Sequence, residues 1–552
     1  MENKKVYGID LGTTYSAIAH INEYNQAEII PNSDNERITP SVVFFESPDN
    51  IVVGSIAKES AKTDPEKVVE FVKRQMGTDW TFTYQDVNYR PQEISSYILR
   101  RLAGDAQKIG GHEVHDVVIT CPAYFGDAER DATRLAGQLA GLNVIQILDE
   151  PAAAALFYGM NNIGERSVAL IYDLGGGTFD VSLVCVDNNE IAIICTDGDH
   201  RLGGKDWDDA IVNYLVSEFE SQFGAEDKIL EDQESSYNLR LEAERAKQTL
   251  TLREKCTVRV ASLTNRANIE ITRENFENLT RNLLDRTVDF TRSVIEYART
   301  QKGVDKIDAF LLVGGSTRMP MIARRLSEEF AASLGCEPKA FEVDEAVAKG
   351  AALYGHIQTL KVKLDDAAEQ VSGDNASFAE LSEEDQRSAL DIVSAESGLE
   401  PDYLLEAASV AITTVATKSY GIRAKKGGVP IVRNLVLRQT PTPTVGEFVF
   451  HTETADASFI ELRVFSNNIP EADAPLEDSE EIGVTSLEVP SELPAGAPIR
   501  VKFTISTEGA LQMEATDLTT GANVQANFVA DVGMSQEEIN DAVERSHDLV
   551  VE

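Results

Sequence analysis

Two stretches of this chain place the same residue types in the same order: Gly8-Ile9-Asp10-Leu11-Gly12-Thr13-Thr14 and Tyr172-Asp173-Leu174-Gly175-Gly176-Gly177-Thr178. Each puts a carboxylate at the end of an apolar run, then glycines and a hydroxyl residue. Glycine lets the backbone turn tightly and brings bare N–H groups against a ligand, and such arrays attract anions. The aspartates would repel a naked phosphate, so they make chemical sense only with a divalent cation between them and it. The chemistry implied is the gripping of nucleotide phosphates and their metal, with Asp10 and Asp173 on the metal. A single glycine run is more often just a turn; the repeated Asp-Leu-Gly order suggests a duplicated unit instead. No Gly-x-x-x-x-Gly-Lys-Ser/Thr is present, which excludes the P-loop class.

Strands must hold these turns. Val168-Ala169-Leu170-Ile171 leads into the second, and Tyr15-Ser16-Ala17-Ile18-Ala19 and Phe179-Asp180-Val181-Ser182-Leu183-Val184 lead out, so each is a β-hairpin. The spacing predicts further strands over 114–121, 144–148 and 309–313, and helices over 127–139 (with Asp127 as N-cap), from 152 and over 237–251. Alternating strands and helices imply an α/β architecture for residues 1–358. Residues 359–409 read as an acidic helical insert on a solvated linker. Between Lys361 and Ser409 thirteen acidic residues face three basic ones, Ser382 is placed to cap a helix and Gly398 to stop it. From 410 to 530 the period becomes two, as in Phe459-Ile460-Glu461-Leu462-Arg463-Val464, which predicts an antiparallel β-sandwich. Residues 531–552 read as the start of a helix that runs out at Glu552.

A chain of 552 residues has room for several cores. Its formal net charge of −42 argues against nucleic acid and anionic membranes as partners. The five cysteines include no C-x-x-C pair, so neither a zinc site nor a disulfide framework is indicated. No apolar run approaches membrane-spanning length and the N-terminus lacks a signal-peptide core, so the expected location is cytoplasmic.

Taken in order, the motifs resemble those of the seventy-kilodalton heat-shock chaperones, the DnaK-type family. Besides the two hairpins they are Cys121-Pro122-Ala123-Tyr124-Phe125, Asp149-Glu150-Pro151-Ala152-Ala153, Leu202-Gly203-Gly204, Glu244-Arg245-Ala246-Lys247, Val313-Gly314-Gly315-Ser316-Thr317-Arg318 and Asp344-Glu345-Ala346. The resemblance implies a multidomain protein: an actin-like ATPase of two lobes with a duplicated βαβ core, then a peptide-binding β-sandwich. It implies ATP or ADP with Mg²⁺ in the cleft and Lys73, Glu150, Asp173 and Thr178 as the catalytic set. Gly12, Thr13, Thr14, Tyr15, Gly175, Gly176 and Gly177 would cradle phosphates. Gly204, Glu244, Lys247, Thr251, Gly314, Gly315, Ser316, Arg318 and Asp344 would complete the nucleotide site. Pro122 and Arg130 match an interdomain switch pair. Taken alone, Lys73 and Arg130 read as surface helix residues.

Ile422, Phe450, Ile460 and Leu462 match the family's peptide pocket, although alternating Phe, Ile and Leu also simply fill sandwich cores. Where the family closes an apolar arch over its peptide, this chain offers Lys425 or Lys426 opposite Glu453, an ion-paired arch. Departures from the family pattern are Gln248, Lys205, a shortened segment after Met76, the linker Val410-Ala411-Ile412-Thr413-Thr414 and a nearly absent helical lid. The expected partners are an unfolded or extended polypeptide client, a J-domain co-chaperone and a nucleotide-exchange factor, the usual form of the last put in doubt by the shortened segment. The function implied is an ATP-dependent chaperone acting in protein folding and stress response. Two readings stand beside it: a nucleotide-gated interaction protein with slow turnover and a dedicated partner, and a small-molecule kinase of the actin-like superfamily.

Overall fold

The computed structural model describes residues 5–161, 166–187, 190–224, 229–374, 376–453, 459–489, 493–506, 509–528 and 534–552. The repeated motif sits in two sheets of matching order. In the first, Asn143–Asp149, Asp116–Cys121 and Val6–Asp10 run parallel, and Tyr15–Ile21 and Ala27–Ile29 continue antiparallel. In the second, Pro338–Ala340, Ala309–Val313 and Ser167–Leu174 run parallel, followed antiparallel by Phe179–Asp187 and Glu190–Asp199. Each sheet centre is a run of apolar residues buried on both faces, as parallel strands require. Tyr7, Ile9, Val117 and Ile119 lie in the core of the first lobe; Leu170, Tyr172, Leu183 and Phe310 lie in that of the second.

The long helix Ala346–Ser372 crosses the first sheet and packs on the helix Glu150–Asn161. At that crossing a Cβ on Gly350 would overlap the backbone of Ala153, so only glycine permits the approach. The helix passes straight through residue 358, and the helices Glu383–Ser397 and Pro401–Ser409 fold back onto it. Ser382 accepts the Asp385 N–H and Gly398 closes the first of these two helices in the left-handed region, as their residue types predict. The linker expectation for 359–409 does not hold. Ala389, Leu390, Val393, Leu404 and Ala407 share one core with Ile357, Leu360 and Leu364 of the long helix, and the acids occupy the solvent side.

Ala411–Val415, in the departed linker, is a strand that extends the second sheet by pairing parallel with Glu190–Ala192. The sandwich follows as a five-stranded and a four-stranded sheet closed over one core. It docks on both lobes. The Gln439 amide donates to the Thr196 carbonyl at 2.6 Å and accepts the Thr196 N–H at 3.1 Å, and Lys302 Nζ donates to the Gln439 carbonyl at 2.8 Å. Tyr420 reaches Asp127 at 3.5 Å. Asp127 itself is the first helical residue, with Gly126 rather than Asp127 as N-cap.

The tail differs from expectation. Its helix, Gln536–Asp548, ends before Glu552, and Val550–Val551 is a strand paired parallel with Asn50–Ile51 on the first lobe. Among the described residues, no helix is long and apolar enough to cross a membrane.

Candidate nucleotide site

The two hairpins face one another across a cleft of about 860 Å³ between the lobes. Val6–Asp10 and Ser167–Leu174 each carry their aspartate to its floor, because that is where each buried strand gives way to its glycine turn. The turns nearly touch. A Cβ on Gly176 would overlap the side chain of Thr14, and one on Gly177 that of Thr13. Gly175 N–H closes the second turn onto the Thr178 carbonyl at 3.1 Å. Glycine here is a requirement of packing between the two halves as much as of turn geometry.

Lys73 lies on a one-turn helix, Val72–Gln75, and its ammonium is buried, 2.7 Å from Glu150 Oε1. Burial alone would pull the lysine's pKa down, but the Glu150 and Asp10 carboxylates outweigh that and hold it raised. The aspartates show the converse. Burial, then the charge of Glu150, pushes Asp10 up to about 7 against the opposing pull of Lys73. Asp173 is raised well above the carboxylate range by burial and by Glu150, Asp10 and Asp180. One cation therefore stands among three carboxylates, an arrangement short of positive charge.

At the other end of the cleft, Ser316 donates to the Gly175 carbonyl at 2.8 Å, and Arg318 pairs with Asp344. Lys247 bridges the Gly204 carbonyl at 3.0 Å and Asp208 at 2.8 Å. Glu244 accepts from Tyr15 at 3.3 Å and from Lys58 at 2.6 Å, tying the two lobes together across the opening. Thr251 donates to the Lys247 carbonyl one turn back in the same helix.

Nearly all the nucleotide-site residues expected from sequence face this one cleft. Gly177 and Gly204 instead sit behind its wall, their carbonyls bonded to Arg74 at 2.8 Å and Lys247 at 3.0 Å. Four participants were not foreseen: Lys58, Arg74, Asp206 and Asp208. Arg74 joins the Gly177 carbonyl to Asp206, bracing the second turn from the first lobe. Its adjacency to Lys73 was the available signal; Asp206 and Asp208 follow closely on Leu202-Gly203-Gly204, and Lys58 alone is a single charged residue with no pattern around it.

Arg130, on the helix that begins at Asp127, reaches back to the loop that follows Pro122. Arg130 is buried, against the surface position its helix suggests, and donates to the Phe125 carbonyl at 3.0 Å and to Asp149. Asp149, the neighbour of Glu150, also accepts from Thr414 of the linker strand at 2.6 Å. In the sandwich, Ile422 and Leu462 are buried in the core, with Phe450 and Ile460 half-buried beside them. Lys425 and Glu453 are paired at 2.6 Å, and Lys426 turns away to Asp473.

The donors fit Mg²⁺ bound with a phosphate. Asp10 and Asp173 are two hard oxygen donors facing one cleft, and Mg²⁺ is an ion that takes one or two carboxylates and keeps its waters. The uncompensated carboxylates and the buried Asp208 Oδ1 on the cleft wall, which has no hydrogen-bond partner, both suit an outside group in this cleft.

A family-wide sequence model described as Hsp70 protein matches residues 6–84, 80–369 and 399–551. The chain is 36% identical over 556 residues to the chaperone protein DnaK of Thermosipho melanesiensis, covering 99% of this chain and 84% of that protein. It is 35% identical over 557 residues to the DnaK of Thermotoga petrophila, with 99% and 84% covered, and 34% identical over 553 residues to that of Halobacterium salinarum, with 99% and 78% covered. With the cleft geometry and these relatives together, the chain belongs to the Hsp70 family of ATP-dependent molecular chaperones.

Proposed function

We propose that ATP lies in the interlobe cleft, phosphates between the two glycine turns and adenosine towards Glu244, Lys247, Ser316 and Arg318, and that its hydrolysis governs how the sandwich holds extended polypeptide. The observation that carries this is the buried Lys73–Glu150 pair on the floor between Asp10 and Asp173. When bound through Asp10 and Asp173, Mg²⁺ would neutralise phosphate charge. Hydrolysis asks little covalent help of the protein and much positioning. Glu150 is placed to orient a water and accept its proton, and Lys73 to hold Glu150 and meet charge that grows on the phosphate. Thr178 and the turn N–H groups fix the phosphate from the far side.

The sandwich communicates with this floor through Asp149, which joins Arg130 and the linker strand one residue from Glu150. Ile422, Phe450, Ile460 and Leu462 would line the client groove, with the Lys425–Glu453 pair closing over it. Units 1–358, 359–409, 410–530 and 531–552 serve as ATPase, brace, client domain and tail. Function in the cytoplasm with a J-domain co-chaperone and an exchange factor fits this scheme. Single-turnover hydrolysis with and without an unfolded client tests it. A client should accelerate hydrolysis in the native chain and not in Thr414→Val; an unresponsive native chain would refute the coupling.

A further inference from the structure

The tail of the chain fills a built site on the first lobe. Strand Asn50–Val53 would be the outer strand of its small sheet were it not paired with residues 550–552. Val550 N–H donates to the Asp49 carbonyl at 3.0 Å, Glu552 N–H to Ile51 at 2.9 Å, and Val53 N–H to Glu552 at 2.7 Å. Leu549 is buried in the lobe core beside Phe45, Ile51 and Tyr97. Two N–H groups of Arg100 take the carbonyls of Ser546 and Leu549, each at 2.9 Å, groups a helix end leaves free. Arg545 makes a two-pronged pair with Glu93 at 2.9 and 3.0 Å. Glu93 is itself only 1% exposed and bonded within its own lobe to Tyr97.

Strand edge, apolar hole and buried acid all belong to the first lobe, and each needs a partner from outside it. An unpaired edge invites strand addition, with backbone bonds giving grip and the hole giving selectivity. We propose that this edge is a peptide-binding site distinct from the sandwich groove, taking segments in which a helical turn, with an arginine four residues before a leucine, runs into an extended pair of β-branched residues. In this chain it is occupied in cis by Arg545–Glu552. Filled, it clamps the tail to the first lobe; emptied, it frees it, so a competing segment of that pattern would release the tail. The site stands independently of the client groove and of the hydrolysis scheme.

The test uses the full chain and a fluorescent acetylated peptide of residues 545–552. The native site is filled by a tethered copy at high effective concentration, so peptide should bind Leu549→Asp at least tenfold more tightly than the native chain. Val550→Pro, which removes one backbone donor and adds no charge, should move in the same direction. Hydrogen exchange at the Val53 amide should quicken in both variants and slow again when peptide is added, which occupancy of the sandwich would not produce. A peptide carrying Asp in place of its leucine should not restore protection. Equal peptide binding by native and variant chains, or a Val53 amide indifferent to variant and peptide, overturns the proposal.

Discussion

Replacing Lys73 by methionine keeps much of the side-chain length and deletes the one ammonium among Asp10, Glu150 and Asp173. At 2.7 Å from Glu150 and withdrawn from solvent, that charge acts where screening is weak. A unit charge about 4 Å from developing phosphate charge is worth at most roughly 4 kcal/mol at an effective dielectric near 20. Losing one preorganised electrostatic contact to a transition state costs a comparable ~3–4 kcal/mol, or about 10²–10³ in rate. Single-turnover hydrolysis should therefore fall by about 10²–10³, while ATP affinity, shared among many contacts, should change less than about tenfold. Asp10 stands at about 7 with the lysine present, so the variant should also take up protons at neutral pH. Glu150→Gln keeps the cation and a similar shape; a rate falling just as far, with proton uptake absent, would separate water activation from charge balance. Lys73→Met turning over at more than a tenth of the native rate would refute the assignment.

Three further outcomes follow from the geometry. Gly176→Ala should lower ATP affinity at least tenfold, because the new methyl meets the Thr14 side chain, and Thr14→Gly in the same chain should restore part of it; calorimetry reads both. Thr414→Val removes a hydrogen bond to the buried Asp149 carboxylate, worth about 1.5–3 kcal/mol, so hydrogen exchange across 411–415 should quicken roughly tenfold or more. Asp127, at the junction with the sandwich, is pushed up to about 7 chiefly by burial, with Arg130 and the hydrogen bond from Tyr420 only partly opposing. A carboxyl that docking raises favours the docked form when protonated, so docking should weaken as pH rises from about 4 to 7 and level off above. Small-angle scattering should show a more compact chain at low pH in that range, and Asp127→Asn should remove the dependence.

The parts legible from residues alone were those whose causes are local. Asp-Leu-Gly repeated before hydroxyl residues announces two strand-turn-strand units, and the structure sets both turns on one cleft. Ser382 and Gly398 mark a helix by cap chemistry that needs no neighbour. What stayed hidden depends on partners far along the chain. Nothing in Pro401–Ser409 says that Leu404 meets the long helix rather than water, and an acidic surround made the segment look like a tether. Asp149 is a strand-ending acid until Arg130 and Thr414 arrive from either side.

The tail is the extreme case: two valines carry no detectable period, and their strand exists only because Asn50–Val53 has an edge to offer. The same dependence explains where regulation can enter. A motif that folds on its own terms is hard to perturb from outside, whereas the linker strand, Asp127 and the tail each owe their present form to partners far along the chain. Hydrolysis at the cleft floor and release of the tail can therefore influence one another without touching, since each shifts the population in which the other's partners are assembled. If so, Leu549→Asp should weaken the protection of 411–415 as well as of Val53, although among the described residues no side chain of the tail bonds to the linker; an unchanged linker would mean that tail and linker dock as separate events.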